Sequence, residues 1–218
     1  MRAIIFDFDG VIVNSEPLHE AALRVAVGEL GMSLPHERYM QEYIGYDDRD
    51  CFRAIARDHG RTLSADELQS LAAAKRHAIE GVIRDGRALA WPGAVELIRA
   101  AQVHGPTAVC SGARAHEIEP ILHLLNVRAC FSTVVSADDV ERSKPDPACY
   151  VLTASRLGIH PRDCVAIEDT PTGASAARAA GMKVATVCQT MPAAALLEVS
   201  HRVFPSMREI TVAALAEL

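Results

Sequence analysis

Ala3-Ile4-Ile5-Phe6-Asp7-Phe8-Asp9-Gly10-Val11-Ile12 decides how the rest of the chain is read. Its opening run of four apolar residues reads as a strand covered on both faces, the pattern of a parallel sheet sandwiched by helices. Two aspartates one residue apart follow at once. On an extended chain such a pair projects to one side, just beyond the strand's carboxyl end, where open α/β sheets bind their ligands.

Working outward, four more short apolar runs read as strands: 107–110, 133–135, 164–167 and 184–187. Between them the spacing predicts helices over Ala94–Val103, Ala115–Leu125, Pro147–Leu157 and Thr172–Ala180, the last closed by Gly181. Strand and helix alternate from residue 90 onward, which argues a doubly wound, Rossmann-like α/β domain. About a hundred residues separate the first strand from the second, far more than one crossover helix needs. Residues 15–86 carry helical patterning over Pro17–Leu30, Pro35–Tyr43, Asp48–His59 and Ala65–Ile83, the last begun by the capping box Ser64-Ala65-Asp66-Glu67. The expected organisation is therefore a core of residues 1–14 and 87–218 with a helical domain, 15–86, spliced in after the first strand. Trp91-Pro92-Gly93 reads as the rigid return to the core.

Composition narrows the partners. In 218 residues, 50% are hydrophobic and 23% charged, which fits a soluble globular chain and neither a disordered nor a membrane protein. The net charge of −6 disfavours nucleic acid and acidic membrane surfaces. The first residues contain no apolar stretch long enough for a signal peptide. The six cysteines are too widely spaced for a C-x-x-C site, so a cytoplasmic, disulfide-free protein is expected. Only Lys75, Lys144 and Lys183 are lysines, and every other basic residue is an arginine.

Reading the carboxyl ends of the first four strands collects Asp7 and Asp9, Ser111-Gly112, Ser143-Lys144-Pro145 and Glu168-Asp169. Four carboxylates against one lysine would repel an anionic substrate unless a hard divalent cation such as Mg²⁺ joined them. Asp7, Asp169 and Glu168 are the candidate ligands. With the metal, Asp7 can act as a nucleophile toward phosphorus and Asp9 as the acid and base beside it. Ser111 and the Gly112 N–H are placed to donate to a phosphate, with Lys144 as a point charge. Asp-x-Asp alone commonly decorates a turn, and Cys110, at the end of a buried run, reads as packing. The ordered set of strand ends is what gives the aspartates a chemical reading.

Asp7-Phe8-Asp9-Gly10-Val11-Ile12, Ser111-Gly112, Lys144-Pro145 and Ile167-Glu168-Asp169-Thr170 with Gly173 resemble the four ordered motifs of the haloacid dehalogenase superfamily. The helical insertion after the first motif is similar to the small cap of its beta-phosphoglucomutase and phosphoglycolate phosphatase branch. The resemblance implies strand order 5-4-1-2-3 and an Mg²⁺ held by Asp7, the Asp9 carbonyl and Asp169, with Glu168 as a further candidate. It also implies phosphate binding by Phe8, Ser111, Gly112 and Lys144, and a phospho-Asp7 intermediate. His19 would approach Asp9 when the cap closes. Gly45, Asp48 and Arg49, in the loop Ile44–Arg49, and Lys75 would face the substrate. Where mutases of the branch carry an arginine for the distal phosphate, this sequence has Asp48, with Arg49 one place later.

The expected activity is thus Mg²⁺-dependent hydrolysis of small phosphomonoesters by a monomer. A phosphomutase is the nearest rival; a phosphonate hydrolase using Lys75 and a receiver-like signalling domain are more remote.

Overall fold

The computed structural model describes residues 1–43, 46–84 and 90–218, with the backbone alone at 82–84. The chain divides into two compact units, Met1–Asn14 with Leu89–Leu218, and Ser15–Ala88.

The first unit is a six-stranded parallel sheet. Its strands are β1 (Ala3–Phe6), β2 (Thr107–Cys110), β3 (Thr133–Val135), β4 (Cys164–Glu168), β5 (Lys183–Val187) and β6 (Arg202–Phe204), in the order β3-β2-β1-β4-β5-β6. The five strands expected from the sequence keep the expected order, and β6 extends the sheet beyond β5. The three residues Arg202-Val203-Phe204 carry no apolar run, so β6 gives no signal by itself. Residues within the central strands alternate between faces, yet both sets are buried: Ile5, Ala108 and Ala166 on one side, Ile4, Val109 and Val165 on the other. This is why the strands read as continuous apolar runs rather than as alternating ones.

In the second unit lie α1 (Glu16–Gly28), α2 (His36–Arg38), α3 (Asp48–Asp58) and α4 (Ala65–Arg84); a π-helical turn, Tyr39–Tyr43, continues α2. Leu23, Ala26 and Val27 recur at helical spacing on α1 and join Phe52, Ile55 and Leu71 in a core of this unit's own. Glu67 and Ser64 form the expected capping box at the start of α4, with Ser64 N–H to Glu67 at 2.8 Å and the reverse bond at 3.2 Å.

The remaining helices belong to the sheet unit: α5 (Ala94–His104), α6 (Ala115–Leu124), α7 (Ala148–Leu157), α8 (Pro171–Ala179), α9 (Ala193–Leu196) and α10 (Val212–Ala216). Helices α7 and α8 cover the sheet face that carries Ala3, Ile5, Ala108 and Cys110. Their amino ends therefore start from the edge where the strands finish, the edge that the motifs occupy.

Candidate active site

Asp7 continues β1 for one more step, its N–H donating to the Ile167 carbonyl at 2.9 Å. Phe6 and Phe8 on either side are buried, which holds the intervening Asp7 on the opposite face, toward the crevice. The chain then folds back sharply: the Ile12 and Val13 N–H groups both donate to the Phe8 carbonyl, and Gly10 N–H donates to Val13. Gly10 has φ +76°, and a Cβ there would stand 1.8 Å from Asp169 Oδ2, so two constraints exclude a side chain. Asp9 lies in this fold-back, and its charge reaches Asp7.

Lys144 ties the site together. Its Nζ donates to Asp7 Oδ1 and Glu168 Oε1, both at 2.6 Å, and to the Cys110 carbonyl at 3.1 Å. Glu168 is the last residue of β4 and 1% exposed; Asp169, next along, is 3% exposed. Asp7, Glu168 and Asp169 each offer an oxygen within 4.8 Å of the others. Burial, then the charges of its acidic neighbours, pushes Asp7 well above the usual carboxylate range despite Lys144. Asp169 is pushed up to about 7, by burial and by Glu168. Burial opposes the charge on Lys144, but Asp7 and Glu168 outweigh it and hold the ammonium protonated. Three carboxylates share one ammonium, so the full charge of the group is not neutralised from within. Such a set of hard oxygen donors fits a divalent cation of the Mg²⁺ kind, which would allow all three to ionise together.

Ser111 follows β2 and is buried. Its N–H continues the ladder to Val135 at 2.9 Å, and its Oγ accepts from Ala113 N–H at 2.9 Å in the turn before α6. Gly112, between them, has open space where a Cβ would be. Asp7, Glu168, Asp169 and Lys144 thus meet directly, with Ser111 beyond the neighbouring Cys110.

Two further hydroxyls join this crevice. Tyr150, from α7, donates to Glu168 Oε1 at 2.7 Å, and its ring centroid lies 4.9 Å below the Lys144 ammonium. Thr190, past the end of β5, donates to Asp169 Oδ2. The strand-end rule, applied to β5, points to Thr190. Tyr150 carries no comparable signal, because only the packing of α7 on the sheet brings it back to Lys144.

Three of the residues expected in the inserted unit, His19, Asp48 and Lys75, line one cavity of that unit. A cavity of about 170 Å³ is lined by Glu16, His19, Tyr39, Tyr43, Tyr46, Asp48 and Lys75 among others. Lys75 is 3% exposed and donates to Asp48, whose side chain is half exposed. Tyr39 O–H donates to Glu16, while His19 Nδ1 is buried without a hydrogen-bond partner among the described residues. Arg49 is exposed on α3 and does not line the cavity. Gly45 and Ile44 lie outside the described residues. A larger cavity of about 700 Å³ in the sheet unit, lined by Trp91, Val95, Leu97, Met207 and Ile210 among others, contains none of the motif residues. Converging charge, rather than volume, marks the candidate site.

Known proteins resemble this chain in sequence and in fold. The chain is 33% identical over 185 residues to the fructose-1-phosphate phosphatase YqaB of Escherichia coli, covering 84% of this chain and 95% of that protein. Hexitol phosphatase B of the same species is 29% identical over 183 residues, 83% of this chain and 81% of the other. The crystal structure of CbbY from Rhodobacter sphaeroides, in complex with phosphate, superposes with a TM-score of 0.83 over 99% of each chain at 24% identity, a likeness of fold. Residues 1–181 match the family model for haloacid dehalogenase-like hydrolases, and this enzyme belongs to that family.

Proposed function

We propose that this hydrolase is a Mg²⁺-dependent phosphatase of small phosphorylated metabolites, with a sugar or polyol phosphate as substrate. The observation that carries this reading is the cluster of Asp7, Lys144, Glu168 and Asp169 at the carboxyl ends of the two central strands. Asp7 attacks phosphorus, the phosphorus–ester oxygen bond breaks, and Asp9 gives its proton to the leaving alkoxide, so the phosphoryl group rests on Asp7. Asp9 then takes a proton from water, whose oxygen attacks that phosphorus; phosphate departs and the Asp7 carboxylate returns. Lys144, Ser111 and the N–H groups of Phe8 and Gly112 bind the phosphoryl oxygens. Asp7, Asp169, the Asp9 carbonyl and Glu168 would hold Mg²⁺, which when bound supplies the positive charge that the carboxylates and the phosphate share.

In this reading the inserted unit, 15–86, is the cap that selects the substrate. The carboxylates of Glu16 and Asp48 accept hydrogen bonds and Lys75 donates them, a mixture suited to a neutral, hydroxylated body. The phosphatase and hexitol phosphatase relatives act on molecules of that kind by name. A phosphomutase must also grip a second phosphate, and here the lysine available for it is already paired with Asp48. A monomer in the cytoplasm completes the proposal; all six cysteines are free thiols.

The test is phosphate release from a panel of sugar phosphates, phosphoglycolate and nucleotides, with and without Mg²⁺. Asp7→Asn should keep the native circular dichroism and release no phosphate; undiminished turnover would remove Asp7 as nucleophile. Isomerised hexose phosphate with little free phosphate, from a hexose 1-phosphate and a bisphosphate primer, would favour the mutase.

A further inference from the structure

We infer that Tyr150 is a positioning residue: its phenol O–H fixes Glu168, so that Lys144 can turn from Glu168 toward the transferring phosphoryl group. This rests on the phosphatase reading of the same site.

Hydrogen-bond arithmetic at Lys144 motivates it. An ammonium has three N–H donors. Asp7 Oδ1, Glu168 Oε1 and the Cys110 carbonyl, at 2.6, 2.6 and 3.1 Å, are its nearest acceptors, and the Tyr150 phenol oxygen is a more distant fourth at 3.5 Å, so all three donors are taken. A bond from Lys144 to a phosphoryl oxygen therefore has to replace one of them. Leaving Asp7 or Glu168 strips a buried carboxylate of its donor, which is costly unless another donor stays in place. Glu168 has that second donor on the same oxygen, the Tyr150 O–H at 2.7 Å.

The rest of the carboxylate's surroundings point the same way. Glu168 Oε2 accepts from the Asp169 N–H at 3.3 Å and the Thr170 hydroxyl at 3.4 Å, both long, so the Tyr150 bond is the shortest that does not depend on the lysine. Gly173 closes the remaining side: a Cβ there would come within 2.0 Å of Oε1, which shows how tightly α8 presses on the carboxylate. Tyr150 itself is fully buried on α7, and its ring offers the ammonium a π face beside the site. The phenol is the anchored donor to Glu168 and the lysine the movable one.

Tyr150→Phe keeps the ring and removes one oxygen. Two readouts are needed: Mg²⁺ affinity of the metal-free protein by calorimetry, and kcat and KM on whichever phosphate ester of the panel the wild type hydrolyses. The expected result is Mg²⁺ binding weaker by about tenfold and kcat lower by a similar factor, with KM unchanged, the usual size of effect for residues that orient metal ligands. Because Tyr150 acts through Glu168, Tyr150→Phe added to Glu168→Gln should cost nothing beyond Glu168→Gln alone. Wild-type Mg²⁺ affinity and kcat in a Tyr150→Phe protein that merely melts earlier would overturn the inference, and so would independent losses in the double variant. Should Tyr150→Phe fail to fold, the double variant, which removes the charge together with its donor, is compared with Glu168→Gln alone. A wild type that releases phosphate from no ester defeats the phosphatase reading, and calorimetry with Mg²⁺ then decides the role of Tyr150 separately.

Discussion

Lys144, with a side chain 13% exposed, and Lys75, which is buried, both face carboxylates, one in the sheet unit and one in the inserted unit, and their surroundings differ in kind. Lys144 stands between two carboxylates that are themselves buried, with side-chain exposures of 9% for Asp7 and 1% for Glu168, and a carbonyl takes its third proton. Among the described residues, Lys75 has one carboxylate partner, Asp48, half exposed, at the rim of a cavity that also holds Glu16 and His19, whose Nδ1 has no partner among them. In the first setting the charges hold one another in place before any substrate arrives, the preorganisation that stabilises a transition state. In the second, solvent and ligand can compete for the partner. In the proposed function, chemistry belongs to the closed network and choice of substrate to the open one.

The comparison predicts unequal consequences for removing each ammonium. Lys144→Met should lower kcat by about a thousandfold, the upper range for loss of a charged donor at a transition state. It should also lower the melting temperature in Mg²⁺-free buffer, because Asp7 and Glu168 then face each other without a counter-ion. Phosphate release at saturating Mg²⁺ and thermal unfolding measure the two effects. Lys75→Met should instead raise KM about tenfold with kcat within a factor of two, as expected for one hydrogen bond to the body of a substrate. If both variants lose kcat alike, the distinction between the two lysines fails.

Asp48 sharpens the same contrast. Asp48→Asn leaves Lys75 without its counter-charge and free for an anion, so a sugar bisphosphate should inhibit about tenfold more strongly than it inhibits the wild type, while turnover of the monophosphate changes little. Inhibition constants for mono- and bisphosphates on the two proteins provide the measurement. An unchanged preference would show that Asp48 does not set the charge of the cavity.

The two regions also differed in how far the sequence could be read. Asp7, Glu168 and Asp169 were legible because each sits at a strand's carboxyl end, and a parallel sheet brings those ends together whatever the helices do, while Lys144 lies in the loop that leads from β3 to α7. Tyr150 was not, because its role depends on which face of α7 packs on the sheet, and a buried tyrosine at helical spacing looks like core until its hydroxyl finds a partner. In the inserted unit the helices and their capping box were legible from periodicity, but side-chain pairings such as Lys75 with Asp48, 27 residues apart, depend on how helices pack. β6 escaped because pairing with β5, rather than propensity, makes three residues a strand.

A last carboxylate in the inserted unit sets the lower end of the scale. Asp58, on α3, accepts from Tyr43 O–H and is paired with Arg38 at 2.8 Å, and these contacts, Tyr43 first, hold its carboxyl below the usual range. A folded-state value below the unfolded one stabilises the fold above the unfolded value of about 4, and that advantage disappears as pH falls through the folded value. Asp58→Asn should therefore lower the melting temperature by about 2 °C at pH 7, corresponding to about 1 kcal/mol or less for a partly exposed pair. The gap between variant and wild type should close below about pH 4, where Asp58 takes up its proton. Melting curves at pH 7 and pH 2.5 measure both. An equal gap at the two values would mean that the contact stabilises by shape alone, and its charge would then have no part in the contrast with the buried carboxylates around Lys144.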